Sequence, residues 1–251
     1  MKLLRLYIFL SVGLLSACNQ SDLLTFKSSN DIYFNFFVTT VQRDSLNVNF
    51  SLVKDVADTF FIPVQVLGKG APQVRPYTLQ VNQQLTTAEA GKHYVILSPA
   101  DSLAIRANGV DGGFNIIINR PADLREKAFE LVLDLVPNEH FTTNMKVFNY
   151  AVNPAVKATQ WKVKIEDILY RPFAWDASEA YAGTYSRAKL ELMIATQSLS
   201  LSQFYNSPLY SSTQLNNFSV TMQRYLNAQR AAGNTIYDTD GSVMVMGPAA
   251  Q

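Results

Sequence analysis

Apolar and polar residues alternate along much of the chain with a period of two, which places one set of side chains on a single face of a sheet. Ile32, Phe34 and Phe36 alternate with Tyr33 and Asn35, and Leu46, Val48, Phe50 and Leu52 alternate with Asn47, Asn49 and Ser51. The pattern returns at Ile62, Val64 and Val66, at Tyr77, Leu79 and Val81, and at Phe114, Ile116 and Ile118. It is cleanest at Phe129, Leu131, Leu133 and Leu135, where Glu130 and Asp134 are expected to face out. Turn signals at Gly68-Lys69-Gly70, Asn108-Gly109 and Asp111-Gly112-Gly113 separate these runs, as antiparallel connections require. Pro63 cannot donate to a ladder, so its strand is expected at an edge or a bulge. The reading is a mainly β protein whose residues 31–153 form an immunoglobulin-like β-sandwich.

The period changes after Asn153-Pro154, and residues 154–251 read as a smaller C-terminal α+β module. One more strand is expected at Trp161, Val163 and Ile165, before Arg171-Pro172-Phe173-Ala174-Trp175 breaks it. Good helix formers run from Ser178 to Gln197. Leu215, Phe218, Met222, Tyr225 and Leu226 recur at steps of three and four, a helical stripe that Gly233 is placed to end. Asp240-Gly241, between Ile236-Tyr237 and Val243-Met244-Val245, predicts a final hairpin.

Charge and composition then narrow the partners. The net charge is +1 and only 16% of residues are charged, so there is no electrostatic footprint for nucleic acid. Lys2 and Arg5 precede an apolar run from Leu6 to Leu15, which reads as a secretory signal over residues 1–17. The run falls short of the roughly 20 residues a bilayer span needs. Ser16-Ala17 stand directly before Cys18, the only cysteine, and this grouping resembles the lipobox of bacterial lipoproteins. An exported lone thiol has no disulfide partner. Cys18 is therefore expected to be lipidated, with residues 18–30 as a tether, although an incidental thiol of a cleaved signal remains the alternative.

No catalytic constellation is visible. His93 and His140 lack any zinc spacing, no G-x-S-x-G elbow is present, and the one cysteine belongs to the anchor. His93 reads as a surface or strand-end residue. Asp238-Thr239-Asp240-Gly241-Ser242 starts like a calcium loop, but Ala249 stands where the bidentate glutamate belongs, so a tight turn is the better reading. No catalytic residue, metal ligand or cofactor is expected.

Ala88-Glu89-Ala90-Gly91-Lys92-His93-Tyr94, with Phe114-Asn115-Ile116-Ile117-Ile118 after it, resembles the A-x-x-G-x-D-Y hairpin of Calx-β domains, with His93 in place of the aspartate. A broader set of motifs is similar to the DUF4843 family of Bacteroidetes lipoproteins. It runs from Ile32-Tyr33-Phe34 and Asp58-Thr59-Phe60-Phe61-Ile62-Pro63-Val64 through Gly91-Lys92-His93-Tyr94, Ile118-Asn119-Arg120, Leu131-Val132-Leu133 and Asn138-Glu139-His140-Phe141. Arg171-Pro172-Phe173-Ala174-Trp175 and Gly183-Thr184-Tyr185-Ser186-Arg187-Ala188-Lys189 continue it.

What this resemblance implies is a lipid-anchored, cell-surface accessory protein of the outer membrane, working with a SusC/SusD-type importer and other surface lipoproteins. The expected role is non-catalytic capture of a nutrient polymer, glycan or peptide, or attachment to the importer. A purely structural or assembly role and a hydrolase with a dispersed site are the alternatives. Aromatics on irregular segments offer flat stacking surfaces, and Phe173, Trp175, Tyr181, Tyr205 and Tyr210 concentrate in the second module. Trp175, Tyr205 and Tyr210 are the candidate ligand- or partner-binding residues, because turns bring side chains to the surface.

Overall fold

The computed structural model describes residues 30–36, 45–97, 103–150 and 153–251. The signal segment, Cys18 and the tether up to residue 29 lie outside the described residues. Twelve strands are described, β1 to β12, of which eight form two four-stranded sheets. The first sheet has the order β1 (Asp31–Phe34), β3 (Ala57–Leu67), β8 (Asp111–Asn119), β6 (Tyr94–Ile96). The second has the order β2 (Ser45–Asn49), β12 (Gln160–Glu166), β9 (Phe129–Val136), β5 (Thr78–Val81). Two short ribbons complete the set, one of β4 (Arg75–Pro76) with β7 (Ala104–Ile105) and one of β10 (Val147–Tyr150) with β11 (Asn153–Lys157).

The alternating apolar residues meet between the two sheets. Ile32, Phe34, Ile62, Val64, Phe114, Ile116 and Ile118 from the first sheet share one core with Val48, Leu131, Leu133, Val163 and Ile165 from the second. The chain is thus mainly β and the sandwich is observed. The alternation fails at Leu52, which is exposed because a 3-10 turn over Phe50–Leu52 ends the strand pattern. It fails again at Val132 and Glu166, which are buried although their positions point away from that core.

Two expectations are corrected. Pro63 lies in β3, an interior strand between β1 and β8. Its carbonyl accepts from the Asn35 N–H at 3.0 Å, one residue past the last β1 pair, Phe34 with Val64. The amide position of Pro63 therefore faces the side on which β1 has just ended, and the pairing with β8 runs through it without interruption. The sandwich also does not stop at residue 153. β12 pairs antiparallel with β9 and parallel with β2, so residues through Glu166 belong to it. Local periodicity cannot reveal that pairing, since the partners of β12 lie far back in the chain.

Beyond β12 the C-terminal part is mostly helical among the described residues, and a bridge from Tyr237 to Val243 lies where the final hairpin is expected. It holds α1 (Phe173–Asp176), α2 (Glu179–Ala182), α3 (Arg187–Gln197) and α4 (Ser212–Ala231). The helix expected from Ser178 to Gln197 is split by Gly183, whose φ of +70° suits glycine. Ser186 then caps α3 by accepting the Lys189 N–H at 3.1 Å. Ser211 and Gln214 form a capping box on α4, and Gly233 follows its C-cap with φ +82°. A second core joins these helices through Trp175, Leu190, Met193, Leu215, Met222, Leu226, Met244 and Met246. No described helix is long and apolar enough to cross a membrane.

Candidate functional site

The three aromatics singled out from sequence are built into packing. Trp175 is fully buried, donates its indole N–H to the Gly183 carbonyl at 2.9 Å, and meets Tyr185 edge-on at 5.1 Å. This overturns its reading as a surface residue. Pro172 opens a single helical turn in which residues two apart point to nearly opposite sides. Phe173 takes the outer side at 87% exposure and Trp175 the inner. Tyr205 is half-buried and its hydroxyl donates to the Tyr170 carbonyl. Burial pushes its pKa up. The Tyr210 hydroxyl accepts the Ser200 N–H at 3.1 Å, and its ring sits edge-on between Phe204 and Phe218. The structure does not bring these three together as a recognition face.

His93 does stand at a strand end, directly ahead of β6, but it is completely buried and not on the surface. Its Nδ1 accepts the Glu89 N–H at 2.8 Å, which leaves Nε2 to carry the proton towards Asp123 at 3.2 Å. The ring stacks on Phe129 at 4.1 Å. This is a satisfied core histidine that pins the hairpin.

Two features that sequence reading missed meet on the first turn of α3. On one side is a joint between sandwich and helices, centred on Asp167, which follows β12 and is almost fully buried. Arg120, from the end of β8, grips both carboxylate oxygens at 3.0 Å each and also donates to the Val53 carbonyl at 2.8 Å. Arg125 adds a bond at 3.3 Å, and Arg187 reaches across from α3 to the same carboxylate at 3.4 Å and to the Asp167 carbonyl. Burial raises the Asp167 pKa, but the Arg120 hydrogen bond and the charges of Arg187 and Arg120 outweigh it and hold the carboxyl below its ordinary 3.8.

On the other side is a cavity of about 600 Å³, within the size range of small-molecule sites. The link from Gly183 to Ser186, the turn from Asp238 to Ser242 and the tail from Val243 to Gln251 wall it. The tail is extended, so Met244 and Met246 enter the core while Val243 and Val245 stay exposed. It can lie on α2 because Gly247 has no Cβ to strike the Ala180 and Glu179 carbonyls. Gln223 of α4 accepts the Met246 N–H at 2.7 Å and fixes it further. The 238–242 segment is the expected turn, with Gly241 at φ +81° and its N–H donated to the Asp238 carbonyl at 3.0 Å.

Lys189 is buried at the side of this cavity, 4% exposed, two residues from Arg187 and so turned away from the joint. Its Nζ donates to the Thr184 carbonyl at 2.8 Å, and among the described residues it makes no ion pair. Burial lowers its pKa, while Asp238 and Asp240 pull in the other direction. Asp240 is exposed and Asp238 half-buried, so the carboxylates lie nearer solvent than the amine. No group of three or more metal-ligating side chains occurs among the described residues.

Among known proteins, no curated sequence matches the chain. One solved structure it aligns with is the Bacteroides ovatus GH5 xyloglucanase in complex with a XXXG heptasaccharide, at 10% identity and a TM-score of 0.25. The alignment covers 66% of this chain and 25% of that one, so the chain spans about a quarter of the length of the enzyme. The profile of the family described as a domain of unknown function, DUF4843, matches residues 26–199, from before β1 through α3 with both Arg187 and Lys189. A match over more than half of the 251 residues identifies this chain as a member of the DUF4843 family.

Proposed function

We propose that this chain is a non-catalytic, lipid-anchored protein of the outer membrane, accessory to a SusC/SusD-type importer, in which the helical part captures a substrate. The observation that supports capture is the cavity beside Lys189, where a buried ammonium has a single carbonyl acceptor. Packed interiors pair their charges, and a desolvated cation facing open volume is set up to receive a partner. The address is supported by the basic start, the apolar run and Ser16-Ala17-Cys18. A lipidated cysteine with more than one acyl chain anchors stably. Cys18→Ala is expected to release the protein from the membrane fraction, and retention of the variant with no partner present would end the lipoprotein reading. Purification of the native membrane complex, with mass spectrometry of its proteins, tests the importer. A complex without a SusC/SusD-type pair would end that part.

A second reading, assembly alone, is favoured by the Asp167 joint, which fixes the helical part to the sandwich as a rigid spacer would require. It predicts partner proteins in the native complex and no small molecule bound by the chain itself.

A further inference from the structure

From the arrangement of charge in the cavity we infer that its ligand is a small zwitterion carrying a carboxylate and an ammonium, a free amino acid or a short peptide. This inference rests on the capture reading above and supplies its substrate class. The argument starts from Lys189. Only one acceptor, the Thr184 carbonyl at 2.8 Å, meets an ammonium with three N–H donors. A ligand that fills the cavity removes what solvent the amine still sees. A neutral sugar would therefore leave a buried cation with no direct ion pair and only the outlying charges of Asp238 and Asp240, whereas a carboxylate pairs with it directly.

The acidic turn in the same lining argues against a ligand that is only anionic. Asp238 and Asp240 belong to the lining, and their two negative charges outnumber the one of Lys189. Asp240 is fixed in place, its Oδ1 accepting the Ser242 N–H at 2.9 Å and the Ser242 hydroxyl at 2.7 Å. These bonds hold the Asp240 carboxyl below its ordinary 3.8, so it stays ionised. A phosphate or a uronic acid would be repelled from the mouth, while an ammonium would be drawn there. A ligand bearing both groups matches the deep cation and the outer carboxylates together, and such complementarity is what discriminates between ligands of equal size.

The test uses the full lipidated chain in a detergent without sugar headgroups. Its melting temperature is followed with a mixture of the common L-amino acids, with a pool of dipeptides, and with maltose or cellobiose. A saturable rise of about 2 °C or more is expected with one of the two zwitterion pools, and which pool acts identifies the source. N-acetylation or C-amidation of the active ligand should weaken titrated binding by at least about tenfold. Lys189→Met should abolish the response, and the Asp238→Asn, Asp240→Asn pair should weaken it by at least about fivefold. If Lys189→Met does not fold, the aspartate variants and the blocked ligands carry the same test, because they leave the core untouched. No rise with either zwitterion pool, or undiminished binding of amidated ligands, overturns the inference. A maltose or cellobiose response that survives the aspartate variants also overturns it, but leaves the capture reading intact. The isolated importer complex tests that reading separately.

Discussion

Two buried charges lie on either side of the first turn of α3, and the protein treats them in opposite ways. Asp167 is surrounded by three guanidinium groups and donates its own N–H to the Leu124 carbonyl at 2.9 Å, so its polar atoms are occupied. Lys189 has one carbonyl and an adjoining void. The difference separates a charge that holds structure from one that awaits a partner. A satisfied buried ion resists removal of any member, whereas an unsatisfied one lowers stability where it stands and invites a ligand.

The largest effect should come from Trp175, which is fully buried and ties to Gly183 at the cavity wall. Trp175→Ala is expected to cost about 3 to 5 kcal/mol in chemical denaturation, as emptied aromatic sites do. A cost below about 1 kcal/mol would mean that the indole is not part of the core. Next comes Asp167→Asn, which takes the counter-charge from Arg120 and Arg125, leaves Arg187 with Glu191 alone, and should cost about 3 kcal/mol.

The same variant should alter the acid limb. The folded pKa of Asp167 lies below its ordinary 3.8, so its contribution is complete above pH 3.8 and is lost as pH falls through the lower folded value. Denaturation midpoints compared across that window should fall more steeply in the wild type than in Asp167→Asn. Equal slopes would show that the joint does not govern acid stability.

Lys189→Met should behave in the contrary sense, changing stability by no more than about 1 kcal/mol and in the favourable direction. The folded pKa of Lys189 is below 10.5, so the folded state carries a penalty at low pH that is relieved as pH rises through the folded value. The wild type should therefore gain stability relative to Lys189→Met between that value and pH 10.5. A variant markedly less stable than the wild type at neutral pH would erase the contrast with Asp167. The smallest change belongs to Arg125→Ala. That side chain is 60% exposed, and its loss should shift stability by less than about 1 kcal/mol, since Arg120 and Arg187 remain.

Much of the sandwich was legible because its strands keep a period of two over Phe114, Ile116 and Ile118 and over Phe129, Leu131, Leu133 and Leu135, and the core uses those residues. The α4 stripe was legible for the same reason at a period near 3.6, with Leu215, Met222 and Leu226 buried. The site was not. Arg120 and Arg125 stand 47 and 42 residues before the carboxylate they share, and no local pattern records that approach. Lys189 reads as an ordinary polar helix position, and its burial beside the cavity arises from tertiary packing that no local pattern records. Trp175 misleads because the break at Pro172 reads as a surface turn, although Pro172 begins a helical turn whose third residue points inward.

The parallel pairing of β2 with β12 has a consequence for how the chain reaches its folded state. Asn47 and Lys164 are register partners, so one edge of a sheet waits for a segment more than a hundred residues downstream. Until β12 arrives, β9 has a partner on its β5 side alone, and Leu131, Leu133 and Leu135 lie along an open edge that other chains can join. A polypeptide stopped short of residue 160 should accumulate as aggregate instead of as a smaller domain. The arginine joint, which lies just past β12, can close only after that late strand has docked.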